Sequence, residues 1–117
     1  MNTRHLTITL QSDWKRALRE AGARSKLEGY QGETLNFESP AAFFGQLTEK
    51  RWMLVRLAQG KPPMAIRELA RLAKRDVRRV HEDVVMLTKL GLLERTEQAG
   101  VVCPFATVHI DMHLQAA

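Results

Sequence analysis

Between His5 and Leu10 apolar and polar positions alternate, with Leu6, Ile8 and Leu10 on one side and His5, Thr7 and Thr9 on the other. That period predicts a half-buried strand. The period then changes. Ser12 is a good N-cap, and Trp14, Leu18, Ala21 and, less regularly, Leu27 recur near helical spacing among Lys15, Arg16, Arg19 and Glu20 until Gly29. An amphipathic helix is expected there, ending near 24–27. After a turn at Gly32, Thr34 to Phe37 predicts a short strand, and Ser39-Pro40 supplies a cap with proline in the first turn of a short helix through Phe43 and Phe44.

Thr48-Glu49-Lys50-Arg51 starts a further helix, on which Leu54, Val55 and Ala58 form an apolar stripe flanked by Trp52 and Leu57. Gly60 and Lys61-Pro62-Pro63 end it. A short helix is expected from Ile66 to Ala73, burying Ile66, Leu69, Ala70 and Ala73. Lys74-Arg75 form the next turn, and Asp76 caps a helix whose inward stripe is Val77, Val80, Val84, Leu87 and Leu90, up to a stop at Gly91. Leu92 to Thr96 and Val101-Val102 then flank a β-hairpin with its tip at Ala99-Gly100. Val108, Ile110, Met112 and Leu114 alternate with His109, Asp111 and His113, giving a final strand with one apolar face.

Two short helices joined by a tight turn, one helix before them and a hairpin after them have the order of a winged helix-turn-helix. The expected fold is α+β: a winged helix-turn-helix with additional N- and C-terminal strands. We expect a single domain over 1–117, made of an N-terminal strand, helix and short β-α extension (1–47), the winged helix-turn-helix core (48–106) and a C-terminal strand (107–117). With 117 residues, 44% of them hydrophobic, the chain can bury a core without disulfides or metals.

Charge sharpens this picture. The chain carries 18 Lys and Arg against 13 Asp and Glu, and twelve of the basic residues against seven acidic ones fall within 48–97. An excess in the best-patterned helical block favours a polyanionic partner, double-stranded DNA above all. On the helix after Asp76 the valine stripe leaves Arg78, Arg79, His81 and Glu82 outside. Arginine suits a bidentate contact with guanine, so Arg78 and Arg79 are the expected base readers, with His81 beside them. Arg71, Lys74 and Arg75 are expected at phosphates, and Arg95 is the natural phosphate ligand of the wing. The alternative is an ordinary solvated helix with pairs such as Arg78 with Glu82 or Arg79 with Asp83; Asp83 would then orient Arg79.

The runs Phe37-Glu38-Ser39-Pro40, Thr48-Glu49-Lys50-Arg51, Ile66-Arg67-Glu68-Leu69-Ala70-Arg71 and Arg75-Asp76-Val77-Arg78-Arg79-Val80-His81-Glu82-Asp83-Val84 carry a resemblance, continued by Leu90-Gly91-Leu92-Leu93-Glu94 and Val102-Cys103-Pro104-Phe105. Together they resemble a family of small prokaryotic winged-helix transcriptional regulators, loosely similar to MarR-type regulators. The likeness covers about 35–114, and Cys103 between valine and proline departs from the family's pattern. Members often look like the regulator half of toxin–antitoxin gene pairs. The resemblance therefore implies an alternative role as an antitoxin or protein-interaction module that binds a partner such as a cognate toxin. Composition and spacing do not speak to that role.

Other chemistry finds little footing. No phosphate loop, nucleophile elbow or dinucleotide glycine motif occurs, so neither an enzyme nor a cofactor is expected. His109, Asp111 and His113 alternate as the outer face of a strand does, and no metal site is expected. The lone Cys103 reads as a small packed residue. Trp14, Trp52, Phe37, Phe43, Phe44 and Phe105 read as core or dimer contacts. No apolar run is long enough to span a bilayer, and the first residues do not form a signal peptide, so a cytoplasmic protein is expected. The terminal strands, if both were sheet edges, would invite pairing with a second copy and a homodimer on two DNA half-sites.

Overall fold

The alternation at the start of the chain does form a strand, β1 (Arg4–Leu10), with Leu6 and Ile8 buried and His5 exposed. The computed structural model describes residues 4–11, 19, 22, 32–97, 100–113 and 116. The helix expected after Ser12, the Ala99 side of the hairpin tip and Leu114 lie outside the described residues. The fold is α+β, and its described residues divide into two compact units, 4–46 with 107–117 and 47–106. Among them no helix is long and apolar enough to cross a membrane.

In the first unit β1 runs parallel to β2 (Glu33–Phe37), with Leu6 opposite Glu33 and Leu10 opposite Phe37. Both ends of the pair are held by side chains. Arg4 forms a two-pronged ion pair with Glu33, through Nε at 2.9 Å and Nη2 at 2.6 Å. At the other end Asn36 accepts from the Thr9 hydroxyl and the Gln11 N–H and donates to the Gln11 carbonyl. The sheet order is β2-β1-β5, where β5 spans Phe105–Asp111. The condition set for edge pairing, that both terminal strands be edges, is therefore met by β5 and not by β1: among the described residues β1 is central, and β2 and β5 lie outermost. Helix α1 (Pro40–Gln46) starts at Ser39, whose hydroxyl accepts from the Ala42 N–H. Its Phe43 is buried edge-to-face on Phe37 at 5.4 Å, whereas Phe44, expected in a core or interface, is 59% exposed.

The second unit contains α2 (Glu49–Ala58), α3 (Ile66–Ala73), α4 (Val77–Leu90), β3 (Glu94–Thr96) and β4 (Gly100–Val102). Its core draws Leu54 and Val55 from α2, Leu69 and Ala70 from α3, and Val80, Val84 and Leu87 from α4, all at most 1% exposed. Each larger aliphatic among them contributes about 2 kcal/mol by leaving water. Val77, expected on the inward stripe, is 44% exposed because it is the first residue of α4, before the helix reaches its neighbours.

Helix α4 ends at Gly91, φ 87°, where the Leu92 N–H reaches the Leu87 carbonyl at 3.0 Å and the Gly91 N–H reaches Thr88 at 3.1 Å. This Schellman closure explains a second correction. Leu92 and Leu93, expected in the hairpin strand, have their N–H groups turned back to Leu87, so β3 starts only at Glu94 while both leucines fill the core. Strand β4 pairs antiparallel with β3, Arg95 opposite Val101. Met64, in the segment between α2 and α3, exchanges both backbone hydrogen bonds with Val101. Gly100 (φ 115°) permits that approach, since a Cβ there would overlap the Met64 carbonyl.

Candidate nucleic-acid interface

Helix α3 reaches α4 through a turn with no glycine. Lys74 takes the left-handed conformation (φ 56°, ψ 46°), its N–H bonded to Arg71 O, while the Arg75 N–H reaches Ala70 O at 3.1 Å. Lys74 is the one non-glycine residue with positive φ among the described residues, a conformation that costs about 1 kcal/mol for a side chain with a Cβ. Asp76 then caps α4 by accepting from the Arg79 N–H at 3.2 Å. The turn therefore places Arg78 and Arg79 in the first turn of α4, where both are exposed.

Next to this turn lies a polar groove of about 690 Å³, bounded by the start of α2 (Thr48 to Arg51) and by 75–83. Five cations against three acids line it. Two of those cations are committed inward. The Asp83 carboxylate accepts from Arg51 Nε at 3.0 Å on one oxygen and from Arg75 Nη2 at 2.7 Å on the other. The three side chains are 15%, 23% and 18% exposed. Burial pushes the Asp83 carboxyl up, but the hydrogen bonds from Arg75 and then Arg51 outweigh it and hold the group below its ordinary value. The Nη1 of Arg75 is buried with no hydrogen-bond partner, an added cost of placing a guanidinium here.

This pairing redirects two expectations. Asp83 does not orient Arg79; it joins α2 to the turn and to α4. Arg75, expected at a phosphate, is mostly buried and held by Asp83. The two ion pairs named with the solvated-helix alternative are not formed among the described residues. Arg78 makes no ion pair with Glu82 and Arg79 none with Asp83, and neither guanidinium has a partner among the described residues.

The remaining expected residues are scattered around the groove. Arg71 is exposed on α3 and paired with Glu68 at 2.5 Å, which raises the arginine and lowers the glutamate from their ordinary values. Lys74, His81 on α4 and Arg95 on β3 are all exposed and, like Arg71, do not line the groove. Lys50 and Arg51 were not among the expected site residues and do line it. Helical position gave a signal for Lys50, in the first turn after the Thr48 cap; Arg51 meets Asp83 across 32 residues, with no local signal at all.

Residues 46–110, more than half of the chain, match the sequence model of one family, HVO_A0114. The chain belongs to the HVO_A0114 family. The HVO_A0114 match takes in α2 through β4, all of the groove and most of β5. No curated protein and no solved structure matches the chain.

Proposed function

We propose that this chain is a sequence-specific DNA-binding transcriptional regulator, a repressor of the winged helix-turn-helix kind, that sets α4 in the major groove. One observation carries the reading: Arg78 and Arg79 stand exposed and without acid partners among the described residues, in the first turn of a helix whose other face is locked by Val80, Val84 and Leu87. A recognition helix needs both properties, a fixed angle and free donors at its N-terminal end. The tight turn at Lys74 supports the same role for α3 and α4, and the β3-β4 hairpin, with Arg95 exposed, is the wing that touches phosphate.

The test is fluorescence anisotropy against DNA from upstream of the protein's own gene and against scrambled DNA, across a salt series. Arg79→Ala is expected to cost about 1–3 kcal/mol on the upstream site and much less on scrambled DNA. Equal losses on both would remove the base-reading role.

A second reading draws on α2. Trp52, Met53 and Leu57, with Glu49 and Arg56, line an open cleft of about 510 Å³, and Met53 is 48% exposed. Such a surface suits a partner protein, as the antitoxin resemblance implies. A partner-only module would lack a steep salt dependence on DNA.

A further inference from the structure

The groove between α2 and α4 holds more positive charge than the internal clamp consumes. Arg51 and Arg75 share Asp83, and Asp76 caps α4. That leaves Lys50, Arg78 and Arg79 against Glu82 as the charges facing solvent around one concavity. Arg78 and Arg79 come from α4, whereas Lys50 comes from the first turn of α2, the other wall. Lys50 is exposed and has no hydrogen-bond or ion-pair partner among the described residues.

We propose that Lys50 seats a backbone phosphate of the DNA, so that one strand lies along the groove with α4 on one side and the start of α2 on the other. The inference rests on the DNA-binding reading and extends it to a helix outside the helix-turn-helix pair. Lysine fits the role. Its ammonium is a flexible point charge suited to a phosphate oxygen, while the planar guanidiniums across the groove suit base edges. The clamp contributes indirectly. By tying Arg51 to Asp83, it fixes the first turn of α2 against α4 and so sets where Lys50 stands relative to Arg78 and Arg79.

A phosphate contact has a signature that a base contact lacks: it weakens every sequence alike and carries its own share of the counterion release. Lys50→Ala and Lys50→Gln are therefore compared with the unaltered protein on the upstream duplex and on a scrambled duplex of equal length, each over a salt series. Both variants are expected to lose affinity roughly three- to tenfold per bound copy on both duplexes, and to flatten the slope of log K against log salt by about one for each copy on the DNA. Lys50→Arg is expected to keep the slope, and circular dichroism to be the same for all. An unchanged slope in both neutral variants, with steep salt dependence in the unaltered protein, overturns the Lys50 contact and leaves the DNA reading standing. Absence of DNA binding by the unaltered protein overturns both.

Discussion

Lys74 carries two roles that one substitution can separate. It occupies a left-handed position that glycine adopts freely, and it sits exposed at the turn before α4, where a DNA phosphate is expected. Lys74→Gly should therefore stabilise the fold by up to about 1 kcal/mol, read as a higher melting temperature. The same change should weaken binding severalfold on upstream and scrambled DNA alike. A melting temperature that falls would show that the lysine side chain contributes more than its backbone costs. The sequence marks the turn at Lys74-Arg75 but not its conformation, because glycine, the usual sign of a left-handed cap, is missing. Gly91 shows the reverse case: there the glycine announces the stop, and α4 ends on it.

At the scale of elements, α2 and α4 were legible because caps, apolar stripes and terminators agree along one local stretch, whereas α3, with no side-chain cap at Ala65 and no glycine after it, was legible from its apolar stripe alone. Thr48 and Asp76 both act as caps, and the stripe of Val80, Val84 and Leu87 is fully buried. What local pattern does not carry is the cross-chain pairing. The central place of β1 depends on which strands flank it, and the partners of Asp83 are decided by packing of α2 against α4. That clamp predicts a pH dependence. Because the folded-state pKa of Asp83 lies below its ordinary value, its stabilisation is complete above about pH 4 and is lost as pH falls through the lowered value. Asp83→Asn should cost about 3 kcal/mol at pH 7, since it leaves Arg51 and Arg75 partly buried without their anion. Urea unfolding at pH 7 and in acid should find the gap between the two proteins narrowing only below about pH 4. A gap of equal size at both values would mean that packing, not charge, is lost with Asp83.

For the whole molecule the question that the DNA-binding proposal raises is how many copies would meet one DNA site. Twelve of the 18 basic residues lie within 48–97, inside the unit spanning 47–106, so on the DNA-binding reading each copy would present its phosphate contacts from one unit. Taking Lys50, Lys74 and Arg95 as those contacts, counterion release predicts a slope of log K against log salt of roughly −3 for one copy and roughly −5.5 for two. A second copy is expected because β2 and β5 lie outermost in the sheet among the described residues, and an edge strand is a template for pairing. Light scattering of the free protein should give twice the 13.3 kDa of one chain, and the salt slope should take the larger value. A mass of one chain with the larger slope would place assembly on the DNA itself, two copies meeting only on adjacent half-sites. A mass of one chain with the smaller slope would remove the dimer and imply a single half-site. The two measurements are independent, one of protein alone and one of its complex, so together they distinguish a preformed symmetric reader from one assembled by its operator.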